Sequence, residues 1–194
     1  MNPAIFLDRD GVIIENRASY VRSWADVVIY PQALEALAKF SSSLYKFVIV
    51  TNQSPVGRGI ISLEQAVHIN TKLVELIDQT GGRIDGAFMC PHAPQDGCNC
   101  RKPQPGLLYQ AAESLSLDLS QSVMIGDALS DLLAGQAAGL RQTILVRTGR
   151  GASQADLPRP ENLKPYLIYN TLSEALTDIV SGSLPSPINT HPGS

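Results

Sequence analysis

The chain has 194 residues, 44% of them hydrophobic, with 15 Lys and Arg against 18 Asp and Glu and a formal net charge of -3. That length and apolar content support one well-packed domain that buries roughly 70% of the surface its unfolded form exposes. The mild acidic balance excludes whole-chain attraction to nucleic acid or to an anionic membrane, so any affinity for phosphate has to come from a local site.

The opening apolar run, residues 4–7, meets Asp8, Arg9 and Asp10 at once. It is too short for a membrane span or a signal peptide and predicts a first strand in a cytoplasmic protein with no membrane partner. Pro31 suits a first helical turn, and Ala33, Leu34, Leu37, Ala38 and Phe40 follow it. Residues 46–51 read as a second strand. Ser62 and Gln65 form a capping box ahead of a long helix carrying Val67, Leu73, Leu76 and Ile77. A strand over 84–89 and a turn-rich loop come next, then a helix over 105–115, a strand over 122–125 and a helix over 130–138. A strand over 142–146, another over 166–169 and a last helix after Thr171 close the pattern.

Strands regularly separated by helices predict an α/β fold: a doubly wound parallel sheet in three layers, with ligands at the carboxyl ends of the strands. No stretch between Asp10 and Thr51, or between Thr51 and Lys102, is long enough for a cap domain, apart from the turn-rich loop. Residues 1–180 are therefore expected to form a single, monomeric domain. Residues 181–194, rich in Pro, Ser and Gly, are expected to be a disordered tail.

The polar residues that end the apolar strands converge in such a sheet: Asp8 and Asp10, then Thr51 and Asn52, then Asp127 with Asp131 four residues on. Two positions apart in extended chain, Asp8 and Asp10 point the same way. Carboxylates so close repel unless a cation sits between them. An all-oxygen ligand set suits Mg²⁺. A lone Asp-x-Asp is usually a solvated turn, and the weight here comes from order and placement.

The cysteines, Cys90, Cys98 and Cys100, are odd in number, which excludes a full disulfide framework and fits a reducing compartment. With His92 they make three thiolates and one imidazole, a closed tetrahedral set for Zn²⁺. The bland alternative, buried cysteines beside a surface histidine, leaves every cysteine of the chain without a role. Arg101 and Lys102 follow at once, so the zinc is expected to staple the loop that delivers Lys102 to a phosphate.

The segments FLDRDGVI, VTNQS, RKP and GDALSD match, in order, the four motifs of the haloacid dehalogenase superfamily of phosphatases, and the resemblance runs from Ile5 to about Arg150. It implies that Asp8 attacks phosphorus and that Asp10 protonates the leaving oxygen and later activates water. It also implies that Thr51 holds a phosphoryl oxygen and that Lys102 offsets negative charge. Mg²⁺ would be held by Asp8, Asp127 and the backbone carbonyl of Asp10, with Asp131 in support.

The segment CPHAPQDGCNCRKP and the flap Asn16-Arg17-Ala18-Ser19-Tyr20 look like the branch of that family acting on heptose bisphosphate and histidinol phosphate. TNQSPVGRG and LVRTGRG are more similar to the heptose enzymes. The resemblance implies a small phosphorylated sugar as partner, with Asn16, Arg17, Ser19, Tyr20, Asn52, Gln53, Ser54 and Arg101 binding it. Arg17, Arg22, Arg58, Arg147 and Arg150 are candidates for a second phosphate, which arginine binds in bidentate fashion.

The chain departs from the family's usual residues at Pro55, Val12 and Ala128, and a proline after Ser54 is incompatible with a positive-φ turn. The alternatives are a histidinol-phosphate or other small-molecule phosphatase, a nucleic-acid-end phosphatase and a catalytically dead zinc-stapled module. The acidic balance counts against the second of these, and retention of Asp8, Asp10, Thr51, Lys102 and Asp127 against the third.

Overall fold

A computed structural model describes residues 1–186. Its strands are β1 (Ala4–Leu7), β2 (Lys46–Asn52), β3 (Gly86–Cys90), β4 (Val123–Gly126), β5 (Gln142–Val146) and β6 (Leu167–Tyr169). All pair in parallel, in the order β3-β2-β1-β4-β5-β6. The helices are α1 (Pro31–Lys39), α2 (Ser54–Gly57), α3 (Leu63–Gln79), α4 (Gly106–Leu115), α5 (Leu129–Ala137), α6 (Gly151–Ala155) and α7 (Leu172–Ser181).

Strand side chains alternate between two faces, and both faces are buried, which is why these runs are almost wholly apolar. Ile5, Leu7, Phe47, Ile49, Val123 and Ile125 pack on one face beneath Leu37 of α1, Leu73 and Ile77 of α3 and Leu176 of α7. Ala4, Phe6, Val48, Val50 and Met124 pack on the other beneath Leu107 and Leu108 of α4 and Ala134 of α5. Each fully buried Leu, Ile or Phe among them contributes about 1.5–3 kcal/mol. At the start of β2, Asp85 accepts from Lys46 Nζ and the Phe47 N–H at 2.9 Å each and from Arg83 Nε at 3.0 Å.

The chain runs outward from β1 to β2 and β3, then returns to β4 on the other side of β1. That reversal opens a crevice at the carboxyl ends of β1 and β4, the place where open α/β sheets bind ligands. Between β1 and α1 the chain makes isolated bridges, Asp10 with Ile14 and Ile14 with Ile29, and a 3-10 turn at Trp24–Asp26. This is a flap rather than a cap domain.

Some elements differ from the sequence expectations. β1 ends at Leu7, because the Arg9 carbonyl accepts from the Ile13 and Ile14 N–H groups and turns the chain. Asp8 and Asp10 nonetheless line one cavity. The helices α2 and α6, four and five residues long, are too short to carry an apolar period. Pro55 lies in the first turn of α2, where its fixed φ is pre-organised and no positive φ is called for. α7 runs to Ser181, Gly182 closes it and Leu184 packs on the core, while residues 187–194 of the expected tail lie outside the described residues. Among the described residues no helix is long and apolar enough to cross a membrane.

Candidate active site and metal centres

The ends of β1, β2 and β4 surround a cavity of about 370 Å³ that Asp8, Asp10, Asn52, Gln53, Lys102 and Asp131 help to line. Asp8 follows β1, and its N–H donates to the Ile125 carbonyl at 3.0 Å, which continues the pairing with β4 and fixes the carboxylate at the crevice. Lys102 Nζ donates to Asp8 Oδ1 at 2.8 Å, lies 2.7 Å from Asp131 Oδ1 and donates to the Val50 carbonyl at 2.8 Å. All three side chains are at least 90% buried. Asn52 grips the lysine backbone from both sides: its Nδ2 donates to the Lys102 carbonyl at 3.0 Å, and the Lys102 N–H donates to its Oδ1 at 3.1 Å. The Lys102–Pro103 peptide is cis.

The electrostatics follow from this crowding. Burial opposes the charge of Lys102, but Asp131 and Asp8 outweigh it and hold the ammonium up at about 12. Burial pushes the Asp131 carboxyl up to about 7 against the pull of Lys102, with Asp8 and Asp127 adding to the rise. Both values rise, which favours the charged lysine but the neutral aspartic acid, because a single ammonium serves two carboxylates. Two contacts under 3 Å make the lysine's charge the firmer of the two. Asp127, fully buried, is raised first by burial and then by Asp8, with Arg150 opposing. It accepts from the Arg150 N–H at 2.8 Å, from Arg150 Nη2 at 3.0 Å and from Asn16 Nδ2 at 3.2 Å.

Oxygens of Asp8, Asp127 and Asp131 lie within 4.8 Å of one another. Burying three carboxylates together is costly without cations, and a hard dication matches an all-oxygen set. The donor set therefore fits Mg²⁺. Asp131 is engaged by Lys102 and by the Ala128 N–H at 3.0 Å. Gly11 stands over them with φ +87°, and a β-carbon there would overlap Asp127 Oδ2.

The second centre is the loop after β3. Sulfur separations are 3.2 Å for Cys90–Cys100, 3.5 Å for Cys98–Cys100 and 3.6 Å for Cys90–Cys98, and His92 Nδ1 lies 3.3 Å from Cys100 and 3.5 Å from Cys90. A tetrahedral zinc with bonds of about 2.3 Å to sulfur and about 2.0–2.1 Å to nitrogen has edges of roughly 3.8 Å between sulfurs and roughly 3.5 Å from sulfur to nitrogen, so the four atoms, gathered slightly closer than that, fit the set. Burial, joined by the Cys100 hydrogen bond, pushes the Cys90 thiol up to about 12, a resistance to ionisation that a bound dication removes. The loop is tied to α2: the Gln53 N–H donates to the Cys90 carbonyl at 2.7 Å and the Gly57 N–H to the Pro91 carbonyl at 2.8 Å.

The other expected residues fall in three groups. Asn16, Arg17, Tyr20, Ser54, Arg101 and Arg150 line the cavity with the groups above. Thr51 is buried behind the wall, with Gln53 Nε2 donating to its hydroxyl at 2.9 Å. Ser19, Arg22, Arg58 and Arg147 do not line it; Ser19 turns its carbonyl to Arg22 Nε at 3.1 Å. Sequence reasoning missed Arg9 and Asn70, both buried, which hydrogen-bond each other beside Asp10. A charged residue between two site aspartates was the available clue to Arg9, whereas Asn70 sits on a helix face with nothing to mark it.

The family model described as HAD-hydrolase-like matches residues 99–175. A D-glycero-beta-D-manno-heptose-1,7-bisphosphate 7-phosphatase of Pseudomonas aeruginosa is 37% identical over 169 residues, 87% of this chain and 93% of that one. The enzyme of the same name from Bordetella bronchiseptica is 38% identical over 79% of this chain and 87% of its own. The crystal structure of the B. bronchiseptica D,D-heptose 1,7-bisphosphate phosphatase, complexed with magnesium and phosphate, superposes with a TM-score of 0.84 at 34% identity, covering 93% of this chain and 99% of that one. The chain belongs to the family of HAD-like hydrolases that these heptose-bisphosphate phosphatases represent.

Proposed function

We propose that the protein is a magnesium- and zinc-dependent phosphatase that removes the 7-phosphate of D-glycero-D-manno-heptose 1,7-bisphosphate through a phosphoaspartate on Asp8. The observation that carries this reading is the buried Asp8–Lys102–Asp131 cluster at the sheet's switch point, with Asp127 beside it and Asp10 in the same cavity. Magnesium held by Asp8 and Asp127 supplies a Lewis acid for the phosphoryl oxygens. Lys102 neutralises one oxygen of Asp8, and among the described residues Oδ2 accepts no protein hydrogen bond.

Attack by the carboxylate forms the Asp8 O–P bond as the sugar P–O bond breaks, and Asp10 gives a proton to the departing sugar oxygen. A water then attacks phosphorus, Asp10 takes its proton, and phosphate leaves as Asp8 is restored. The Thr51 hydroxyl accepts from Gln53 Nε2 at 2.9 Å and keeps its own proton to donate to a phosphoryl oxygen. The flap residues Asn16, Arg17 and Tyr20, together with Arg101 and Arg150, supply the polar and cationic groups that a second phosphate requires. Thiols gathered around a metal suit a reducing compartment, and we place the enzyme in the cytoplasm.

The test is phosphate release from the α- and β-anomers of heptose 1,7-bisphosphate, from histidinol phosphate and from a 3'-phosphorylated oligonucleotide. The reading requires the heptose bisphosphate to give the highest kcat/KM, with heptose 1-phosphate as product. Preference for histidinol phosphate would replace it.

A further inference from the structure

Arg9 is only 1% exposed, and no role above uses it. Its guanidinium is divided among three partners. Nε donates to Asp10 Oδ2 at 3.0 Å and Nη2 to Asp10 Oδ1 at 3.1 Å; Nη2 also donates to Gln53 Oε1 at 3.0 Å, and Nη1 to Asn70 Oδ1 at 2.8 Å. Gln53 closes the ring by donating from Nε2 to Asp10 Oδ2 at 3.0 Å. Asn70 comes from α3, 61 positions away, and is 7% exposed. Its own amide lies 3.8 Å from Met89 Sδ, which sets its oxygen toward the arginine.

A guanidinium taken out of water is tolerated only where its fork is met by well-placed acceptors, and this planar group then fixes whatever it binds. Asp10 Oδ2 is held from two sides, by Arg9 and by Gln53, so the carboxyl cannot turn about its own bond without breaking both. Oδ1 has Arg9 alone, and the Asp10 side chain is 21% exposed at the cavity. The carboxyl is thus held with Oδ2 bonded from two sides and Oδ1 from one, which makes Oδ1 the oxygen with acceptor capacity to spare for a proton.

We propose that Asn70 and Arg9 are positioning residues for Asp10: α3, through Asn70 Oδ1, aims the guanidinium that aims the acid–base carboxyl. This rests on the assignment of Asp10 as proton carrier. The consequence is selective, because a sugar alkoxide needs a proton to leave and p-nitrophenolate does not.

The quantity to measure is kcat/KM, which reports events up to departure of the leaving group, for heptose bisphosphate and for p-nitrophenyl phosphate. Asn70→Ala removes the acceptor of Nη1 without touching the cavity wall. It should lower kcat/KM for the sugar phosphate by about tenfold or more while p-nitrophenyl phosphate stays within about threefold, the difference expected when proton transfer alone is impaired. Asn70→Asp, which restores the acceptor, should recover the sugar phosphate rate. Arg9→Lys, which keeps the charge and loses the fork, should show the same selectivity and serves if Asn70→Ala does not fold.

Parallel loss on both substrates, or no loss on either, would overturn the proposal. Asp10→Asn is the control that separates the two layers. If Asp10→Asn lacks the selectivity, the acid assignment falls; if it is selective and Asn70→Ala and Arg9→Lys are not, the positioning role falls.

Discussion

Replacing Cys98 by Ala removes one of four ligands from the loop after β3 and should release its zinc. The cross-link spans residues 90–100, and closing a loop of about eleven residues restricts the unfolded chain by roughly 3 kcal/mol. At about 2–4 °C per kcal/mol for a chain of this size, the melting temperature should fall by roughly 6–12 °C. The kinetic effect divides according to how each neighbour is anchored. Lys102 has its own supports in Asn52, Asp8, Asp131 and Val50, so kcat should hold to within about threefold, well short of the loss that a displaced catalytic group causes. Among the described residues the Arg101 side chain makes one hydrogen bond, at 3.3 Å to the His92 carbonyl, inside the zinc loop. Losing one charge-assisted contact to phosphate is worth about 1.5–3 kcal/mol, so KM should rise by about tenfold or more. Zinc content by atomic absorption, calorimetry and steady-state kinetics on one preparation decide the matter. Unchanged zinc and melting temperature, or a fall in kcat with KM unmoved, would refute the reasoning.

Gly11→Ala places a β-carbon against Asp127 Oδ2 at a φ of +87°; Mg²⁺ affinity, measured by titration calorimetry, should weaken and turnover should drop about a hundredfold or more, and wild-type affinity would contradict this. The Asp85 carboxyl is held below its ordinary 3.8 because Lys46, the Phe47 N–H and Arg83 together outweigh its burial. A depressed carboxyl stabilises the fold above its unfolded pKa and loses that contribution as pH falls through its folded value. Asp85→Asn should therefore lower the melting temperature at pH 7, and the gap to wild type should close toward pH 2; a gap constant with pH would show that charge is not the cause.

The parallel sheet was legible in the sequence because its strands are short apolar runs bounded by turns, and a strand buried on both faces has no other way to be written. The metal-site carboxylates were legible for a related reason, as polar residues stand out where an apolar strand stops. Cys90, His92, Cys98 and Cys100 were legible because all four lie in one loop. Asn70 was not, since its partner is 61 positions distant and a single polar residue on a helix face looks like solvated surface. Thr51 and Asn52 were placed at the right strand end, but their partners within that wall, Gln53 and the Lys102 backbone, depend on how the loops fold back.

The central claim is that Asp8 is the nucleophile. Mixing the magnesium-loaded enzyme with heptose bisphosphate, quenching in acid within one turnover and reducing with borohydride converts a phosphorylated aspartate to homoserine, which mass spectrometry locates in the peptide. The account predicts homoserine at position 8 and nowhere else, and none in Asp8→Asn. Phosphate released in the same turnovers with residue 8 unmodified, or homoserine at Asp10 or Asp127, would contradict it.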